Sequence, residues 1–489
     1  MATERIPLTQ PIESRTGSFA KDSYSSNCFF ETRDQKREFI KRPGLVAAKQ
    51  IVSITPPAYT PSQGLVPFNN KLVAVINNTV YQVDPNSSYA ISVLGSTSTS
   101  TSQSYFVRTF LDTYLFFHNK VTGYLYNQSG SSVSMTTLPT APYVSGVVYL
   151  DNYLFIGTNN NRIYNSNVGD PTTWDALSYL SFEQTTDTLV GIAKHLNYLV
   201  AFGSFSTQFY YDAGNATGSP LAIASSYTSE IGCATGDSIV STSNTVLWIG
   251  STKTNSRSVY LMDGVSPIRV STSSVDRHLE ADSLGQVTAY CYTIDGHTLY
   301  ILTLHNTQKT LVYDLNEKMW YKWTQFSIQS NDQPYPGTYQ ESYFRPAFFA
   351  ALNGVGYTLD DDTATLYYFN SNVYRDNNQP IYCRTVTDII DNGTTKRKFY
   401  GRLEIVGDKT PGTMQIRHSG DDYNTWSSYR SIDLNASRSQ IYLSGADRRR
   451  AWEFLVTSNC PLRLDGAEID FRIGEMDQEQ AVGGGRYRR

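Results

Sequence analysis

Six histidines and five cysteines are the side chains of this chain best suited to holding a metal or attacking a substrate, and their spacing favours neither. His118, His195, His278, His297, His305 and His418 never recur at the short spacing that puts two imidazoles on one face. Cys28, Cys233, Cys291, Cys383 and Cys460 form no C-x-x-C pair, so the thiols are expected to be buried and reduced, with no zinc site and no disulfide framework. A Walker phosphate loop, a Rossmann glycine fingerprint, a G-x-S-x-G elbow and an H-E-x-x-H pair are all absent. No catalytic residue, cofactor or metal ligand is therefore assigned, and the chain is not read as an enzyme. The run Asp360-Asp361-Asp362 lacks the glycine-punctuated spacing of a calcium loop and is expected to be a solvated turn.

One motif does specify local structure. Ser419-Gly420-Asp421-Asp422-Tyr423-Asn424-Thr425-Trp426 fits the Asp-box pattern S-x-D-x-G-x-T-W, except that Tyr423 stands where the pattern has glycine. In such a hairpin turn the carboxylate of Asp421 accepts turn amides, Ser419 and Thr425 support it, and Trp426 packs beneath. The expected role is to stabilise a turn. A propeller that binds or cleaves a glycan is the alternative reading, prompted by this box and by the many aromatic residues.

Basic residues cluster at Arg37, Lys41 and Arg42, at Lys396-Arg397-Lys398, at Arg448-Arg449-Arg450, and at Arg486, Arg488 and Arg489. Solvated faces or internal ion pairs are the duller reading. The functional reading makes Lys41, Arg42, Arg448, Arg449, Arg450, Arg486, Arg488 and Arg489 docking residues for an acidic partner or DNA.

The elements that would carry these residues are strands. Of 489 residues, 40% are hydrophobic, 13% aromatic and only 17% charged, which excludes a disordered chain. The formal charge of -4 provides no global basic field for gripping phosphate backbones. No apolar run long enough for a signal peptide or a membrane span occurs.

Short apolar runs bounded by Asn, Gly, Asp and Ser recur, in a unit of polar turn, x-Leu-h-h-h strand, second turn and strand ending in Tyr. Copies start at Lys71, Thr113, Asn152, Asn197, Asn244, His297 and Gly356, roughly 40–60 residues apart. One four-stranded propeller blade needs about 40–50 residues. The fold expected is mainly β, a propeller of about six or seven blades with an additional C-terminal β domain; packed sandwiches are the competing architecture. The expected division is 1–65 as an N-terminal extended docking segment, 66–377 as the propeller, 378–475 as a C-terminal β domain and 476–489 as a flexible basic tail. Gly95–Ser104, nearly all Ser and Thr, reads as an exposed loop between outer strands.

Three stretches resemble a known family. They are Asn27-Cys28-Phe29-Phe30-Glu31 followed by Lys41-Arg42-Pro43-Gly44-Leu45; Tyr164-Asn165-Ser166 followed by Gly169-Asp170-Pro171-Thr172-Thr173-Trp174-Asp175; and Asp421 to Arg430 followed by Asp447 to Phe454 and Pro461 to Glu468. In this order they resemble the packaged-DNA stabilisation proteins, the tail hub or nozzle proteins of short-tailed bacteriophages. The resemblance implies a structural virion protein of the tail, assembled in the host cytoplasm, whose copies form a hexameric ring around the DNA exit channel. It also implies the portal adaptor, a distal needle, fibre or spike, and genomic DNA in transit as partners. Residues 21–45 and 447–454 are the expected adaptor-facing surface.

Overall fold

A computed structural model describes residues 2–17, 19–34, 36–53, 61–183, 186–215, 217–254, 256–326, 341–442 and 444–474. The chain folds as two units: Pro43–Gln379 is one, and Met1–Arg42 together with Pro380–Arg489 is the other. The boundary thus falls at 42/43, not at 65/66.

The larger unit is mainly β in a propeller arrangement, built from successive antiparallel meanders. The first runs through Ser62–Phe68, Lys71–Ile76, Thr79–Asp84 and Ala90–Ser96. The second has Tyr105–Arg108, Tyr114–His118 and Gly123–Asn127; the third has Tyr143–Leu150, Tyr153–Thr158, Arg162–Asn167 and Asp170–Ser181. The fourth spans Leu189–His195 to Leu221–Ile223, the fifth Gly232–Cys233 to Ser266–Arg269, and the sixth Val287–Ile294 to Met319–Phe326. The seventh has Pro346–Leu352, Val355–Asp360 and Thr365–Asn370, and its outer place is taken by Gly44–Gln50, antiparallel to Thr365–Asn370. A strand from early in the chain therefore completes the last meander.

The side-chain period of two explains why these sheets stack radially. In Lys71–Ile76, Leu72, Ala74 and Ile76 pack with Ala350, Leu352, Leu359 and Leu366 of the seventh meander. Their neighbours Val73 and Val75 point the other way, against Leu115 and Phe117 of the second. Phe116 then meets Leu154, Ile156 and Trp174 of the third, and Phe155 meets Leu199 and Ala201 of the fourth. Val200 and Phe202 continue to Val246 and Trp248 of the fifth. Runs such as residues 72–76 and 199–202 are apolar without a break because both of their faces are covered by neighbouring sheets. The packing of first against seventh meander closes the circle.

Two-residue hairpin tips such as Asn69-Asn70, Asn77-Asn78, Asp151-Asn152 and Asn353-Gly354 place both residues at positive φ, which is why Asn, Asp and Gly punctuate the repeat. The Ser/Thr-rich segment at 95–104 is not the free outer loop its composition suggests. It leads from the outer strand Ala90–Ser96 to the inner strand Tyr105–Arg108, and hydrogen bonds hold it down. Gln63 Nε2 donates to Ser100 O (2.7 Å), Ser100 N to Asn78 Oδ1 (3.0 Å) and Ser100 Oγ to Asn119 O (3.0 Å).

The smaller unit joins the two ends of the chain. Cys28–Arg33, Lys36–Lys41, Arg463–Ile473 and Lys398–Gly407 form one sheet, with Ala2–Ile6 added to Arg463–Ile473. Tyr24–Ser26, Cys383–Val386, Ala451–Val456, Thr413–Ser419 and Arg430–Asp433 form another ladder. Ile6, Phe29, Phe30 and Phe39 are buried in this unit, as are Trp452, Phe454, Leu464 and Ile469. The N-terminal residues are thus core strands of this unit, not an extended arm.

Candidate functional site

The proposed docking cations separate into three groups. Lys41 ends the strand Lys36–Lys41 and Arg42 follows it, and both are buried, at 1% and 0% exposure. Lys41 Nζ donates to Ser458 O (2.7 Å), and Arg42 Nε to Asn27 Oδ1 (3.0 Å). Arg450, also 1% exposed, lies 4.0 Å from the Tyr400 ring centre and 4.9 Å from that of Trp452. Its Nε donates to Asp447 Oδ2 (2.8 Å) and its Nη1 to Ser444 O (2.7 Å). These three are internal cations: a guanidinium or ammonium taken out of water must be hydrogen-bonded in place, and that fixes it inside the fold. Burial lowers the Arg450 pKa, and the hydrogen bond to Asp447 opposes that shift.

Arg448 and Arg449 are exposed. Arg448 Nη1 donates to Thr395 O (3.2 Å), and Arg449 pairs with Asp422. Arg486, Arg488 and Arg489 lie outside the described residues.

The Asp-box-like turn forms with an exchange of roles. Asp421 Oδ1 accepts from Thr425 N (2.8 Å) and Ser419 Oγ (2.9 Å), while Oδ2 accepts from Thr425 Oγ1 (2.6 Å). These bonds, the Thr425 hydroxyl first, hold the Asp421 carboxyl below its ordinary range. Tyr423 occupies the glycine position at φ 64° and is nevertheless the buried aromatic, 5% exposed, its hydroxyl donating to Thr387 O (2.9 Å). Trp426, expected beneath the turn, is only half-buried, with the Arg417 guanidinium 4.8 Å from its ring. Both carboxylate oxygens of Asp421 are committed to holding the turn.

A third constellation gave no sequence signal. Asp237 Oδ1 accepts from Lys120 Nζ (2.7 Å), from Ser145 Oγ (3.0 Å) and from the Tyr105 hydroxyl. Tyr105 and Lys120 belong to the second meander, Ser145 to the innermost strand of the third, and Asp237 to the fifth. Gly236 makes room for this approach, since a Cβ there would lie 2.4 Å from Ser145 Cβ. Inner residues of non-neighbouring sheets can share one carboxylate only near the propeller axis, so this network crosses the axis at that level. A duplex, whose major groove alone is ~12 Å wide, has no bore here. Burial, then the charge of Asp237, pushes the Tyr105 phenol well above its ordinary pKa.

The model of the family described as "Bacteriophage P22 Gp10, beta-propeller" matches residues 11–373. The chain belongs to that P22 Gp10 family. It is accordingly a bacteriophage structural protein. The match takes in the whole circle of meanders but stops short of the Asp-box-like turn and of Arg448-Arg449-Arg450. Within it, the Asp170 to Asp175 element proves to be architectural: Thr172 N donates to Asp170 Oδ1 (2.9 Å), and buried Trp174 donates from Nε1 to Pro171 O (3.1 Å).

Among solved structures, a chain of the "Mitotic Checkpoint Complex" is 13% identical, with 68% of this chain and 94% of that one covered at a TM-score of 0.42. BamB from Moraxella catarrhalis is 11% identical over 68% and 98%, at 0.38. The WD40 propeller domain of Doa1 is 9% identical over 67% and 97%, at 0.40. No curated protein matches the sequence.

Proposed function

We propose that the chain is a tail hub or nozzle subunit, that its copies close into a hexameric ring around the DNA exit channel, and that the ring retains the packaged genome. The ring joins a portal adaptor to a distal needle, fibre or spike. The observation that carries this reading is the Asp237 network: a P22 Gp10-family propeller whose own axis is crossed by hydrogen-bonded side chains does not thread DNA, so a channel belongs between copies. The seven meanders are seven blades, and their circular packing makes each copy a stiff wall for heterologous, ring-closing contacts. A net charge of -4 suits a wall that DNA passes without adhering.

The unit built from both chain ends is the adaptor-facing part, with exposed Arg448 and Arg449 and the basic residues Arg486, Arg488 and Arg489 as its contacts. The ring assembles in the host cytoplasm and is carried in the virion tail. Light scattering of the purified chain, alone and with its cognate adaptor, tests the reading. A closed oligomer that engages the adaptor is expected. A chain that stays monomeric in both conditions, or particles that lack it yet keep their genome, would overturn it.

A further inference from the structure

A cavity of about 350 Å³ opens within the propeller unit beside the Asp237 network, between residues of the first, fifth, sixth and seventh meanders. Its wall combines Val287 and Phe348 with Thr288, His305, Asp237 and Asp361. Asp361 comes from the Asp360-Asp361-Asp362 run, and the expectation of a solvated turn fails there: Asp360 is 1% exposed and Asp361 5%. Asp360 Oδ1 is occupied by the amides of Asp362 and Thr363, both at 2.9 Å.

Asp361 is different. Its Oδ2 accepts from the Tyr343 hydroxyl (2.6 Å) and lies 3.4 Å from His305 Nδ1, while its buried Oδ1 has no hydrogen-bond partner among the described residues. The charge is also out of balance. Among the described residues, the three carboxylates of this run meet one guanidinium, Arg345, whose Nη1 is 2.9 Å from Asp362 Oδ2. The cavity's other acid, Asp237, already holds an ammonium, that of Lys120.

A buried, unbalanced carboxylate is compensated either by a proton or by a bound cation. A water in the cavity would leave the charge in place. We propose that this cavity binds a primary alkylammonium, with the Asp361 carboxylate as its anchor and Val287 and Phe348 against its methylenes. No group of three or more His, Cys, Asp or Glu side chains that could hold a metal occurs among the described residues, which favours an organic cation over a metal ion. With the cavity empty, burial and then the neighbouring charges of Asp360 and Asp362 push the Asp361 carboxyl well above its ordinary pKa, against the hydrogen bond from Tyr343 and the charge of Arg345. Binding of the ammonium opposes that shift and so favours release of a proton. His305, which burial holds at about 4 with Asp282 opposing, stays neutral and does not compete as the cation.

The test is calorimetric titration of the full-length chain with putrescine near neutral pH, repeated in two buffers of different ionisation enthalpy. Saturable binding is expected, with heats that differ between buffers by the released proton and a melting temperature that rises with the amine. Asp361→Asn should keep the fold and bind about tenfold or more weakly. Thr288→Val, which keeps Asp361, should still release the proton on binding. Absence of saturable heat with the wild type, unchanged affinity in Asp361→Asn, or an equal melting shift from potassium or magnesium chloride would overturn the assignment.

Discussion

Lys120 Nζ lies 2.7 Å from Asp237 Oδ1, tying a loop of the second meander to the inner edge of the fifth. The same oxygen takes the hydroxyls of Tyr105 and Ser145, so one carboxylate joins three sheets that are not all neighbours. Asp237→Asn retains the shape and removes the charge, leaving the ammonium of Lys120 largely shielded from water and without a counter-ion. The propeller's unfolding transition in urea should move down by about 2–4 kcal/mol. A change within a few tenths would show that the axis does not depend on this network.

The exchange between Tyr423 and Trp426 gives a second prediction. Tyr423 is the buried ring, and Trp426 is a half-buried ring stacked on Arg417. Tyr423→Ala should cost the smaller unit about 3–5 kcal/mol, and Trp426→Ala only about 1–2 kcal/mol. Tyr423→Phe isolates the hydroxyl and should cost about 1 kcal/mol through the abandoned Thr387 carbonyl. Denaturant midpoints of the three variants check the order; a costlier Trp426 would restore the motif's usual assignment.

These relationships mark how far the residues alone could be read. The meanders were legible because a run such as residues 72–76 must be apolar throughout to serve two neighbours, and because tips at positive φ favour Asn, Asp or Gly. The pairing of Thr365 with Gln50 was not, since no local pattern says which distant strand completes a sheet. Nor was the burial of Lys41, Arg42 and Arg450: charge in a sequence reads as surface, and only tertiary partners reveal the exceptions. The Ser/Thr-rich segment misled for a related reason. Low complexity denies it an apolar core, yet its hydroxyls and amides are held by Gln63, Asn78 and Asn119. In the Asp-box-like turn, Asp421 and Thr425 were readable from their spacing. Tyr423 was not, because a glycine position predicts no buried ring.

A third prediction concerns acid. Burial lowers the pKa of His118 to about 4, against the backbone hydrogen bond of its Nε2 to Gly146 O (2.9 Å). The unfolded side chain titrates near ~6.5, so between these values the unfolded state binds more protons than the folded one. Stability from this group is full above pH ~6.5 and is lost as pH falls toward about 4, by roughly 3 kcal/mol. Asp361 acts in the opposite sense, since its raised pKa lets the folded state take up a proton first. Urea unfolding at stepped pH should give a flatter profile over this window for His118→Gln than for the wild type; parallel profiles would show that His118 is protonated in the fold.

The last prediction separates arginines that are adjacent in sequence. Arg448 and Arg449 are exposed, and an exposed pair such as Arg449 with Asp422 contributes little to stability, about 0–1 kcal/mol. Arg450 is enclosed by Tyr400, Trp452, Asp447 and the Ser444 carbonyl, so its loss strands a carboxylate and opens a void between rings. Arg450→Ala should therefore destabilise the smaller unit by about 3–5 kcal/mol. Arg448→Glu with Arg449→Glu should leave the denaturant midpoint within about 0.5 kcal/mol of wild type and weaken adaptor capture by about tenfold, more at low salt than at high. Midpoints measured alongside adaptor binding at two ionic strengths resolve the two effects. If the double reversal left binding unchanged while the fold stayed intact, the adaptor contact would have to lie elsewhere on the unit. If it unfolded the unit instead, Arg448 and Arg449 would belong with Arg450 among the cations that hold the structure together.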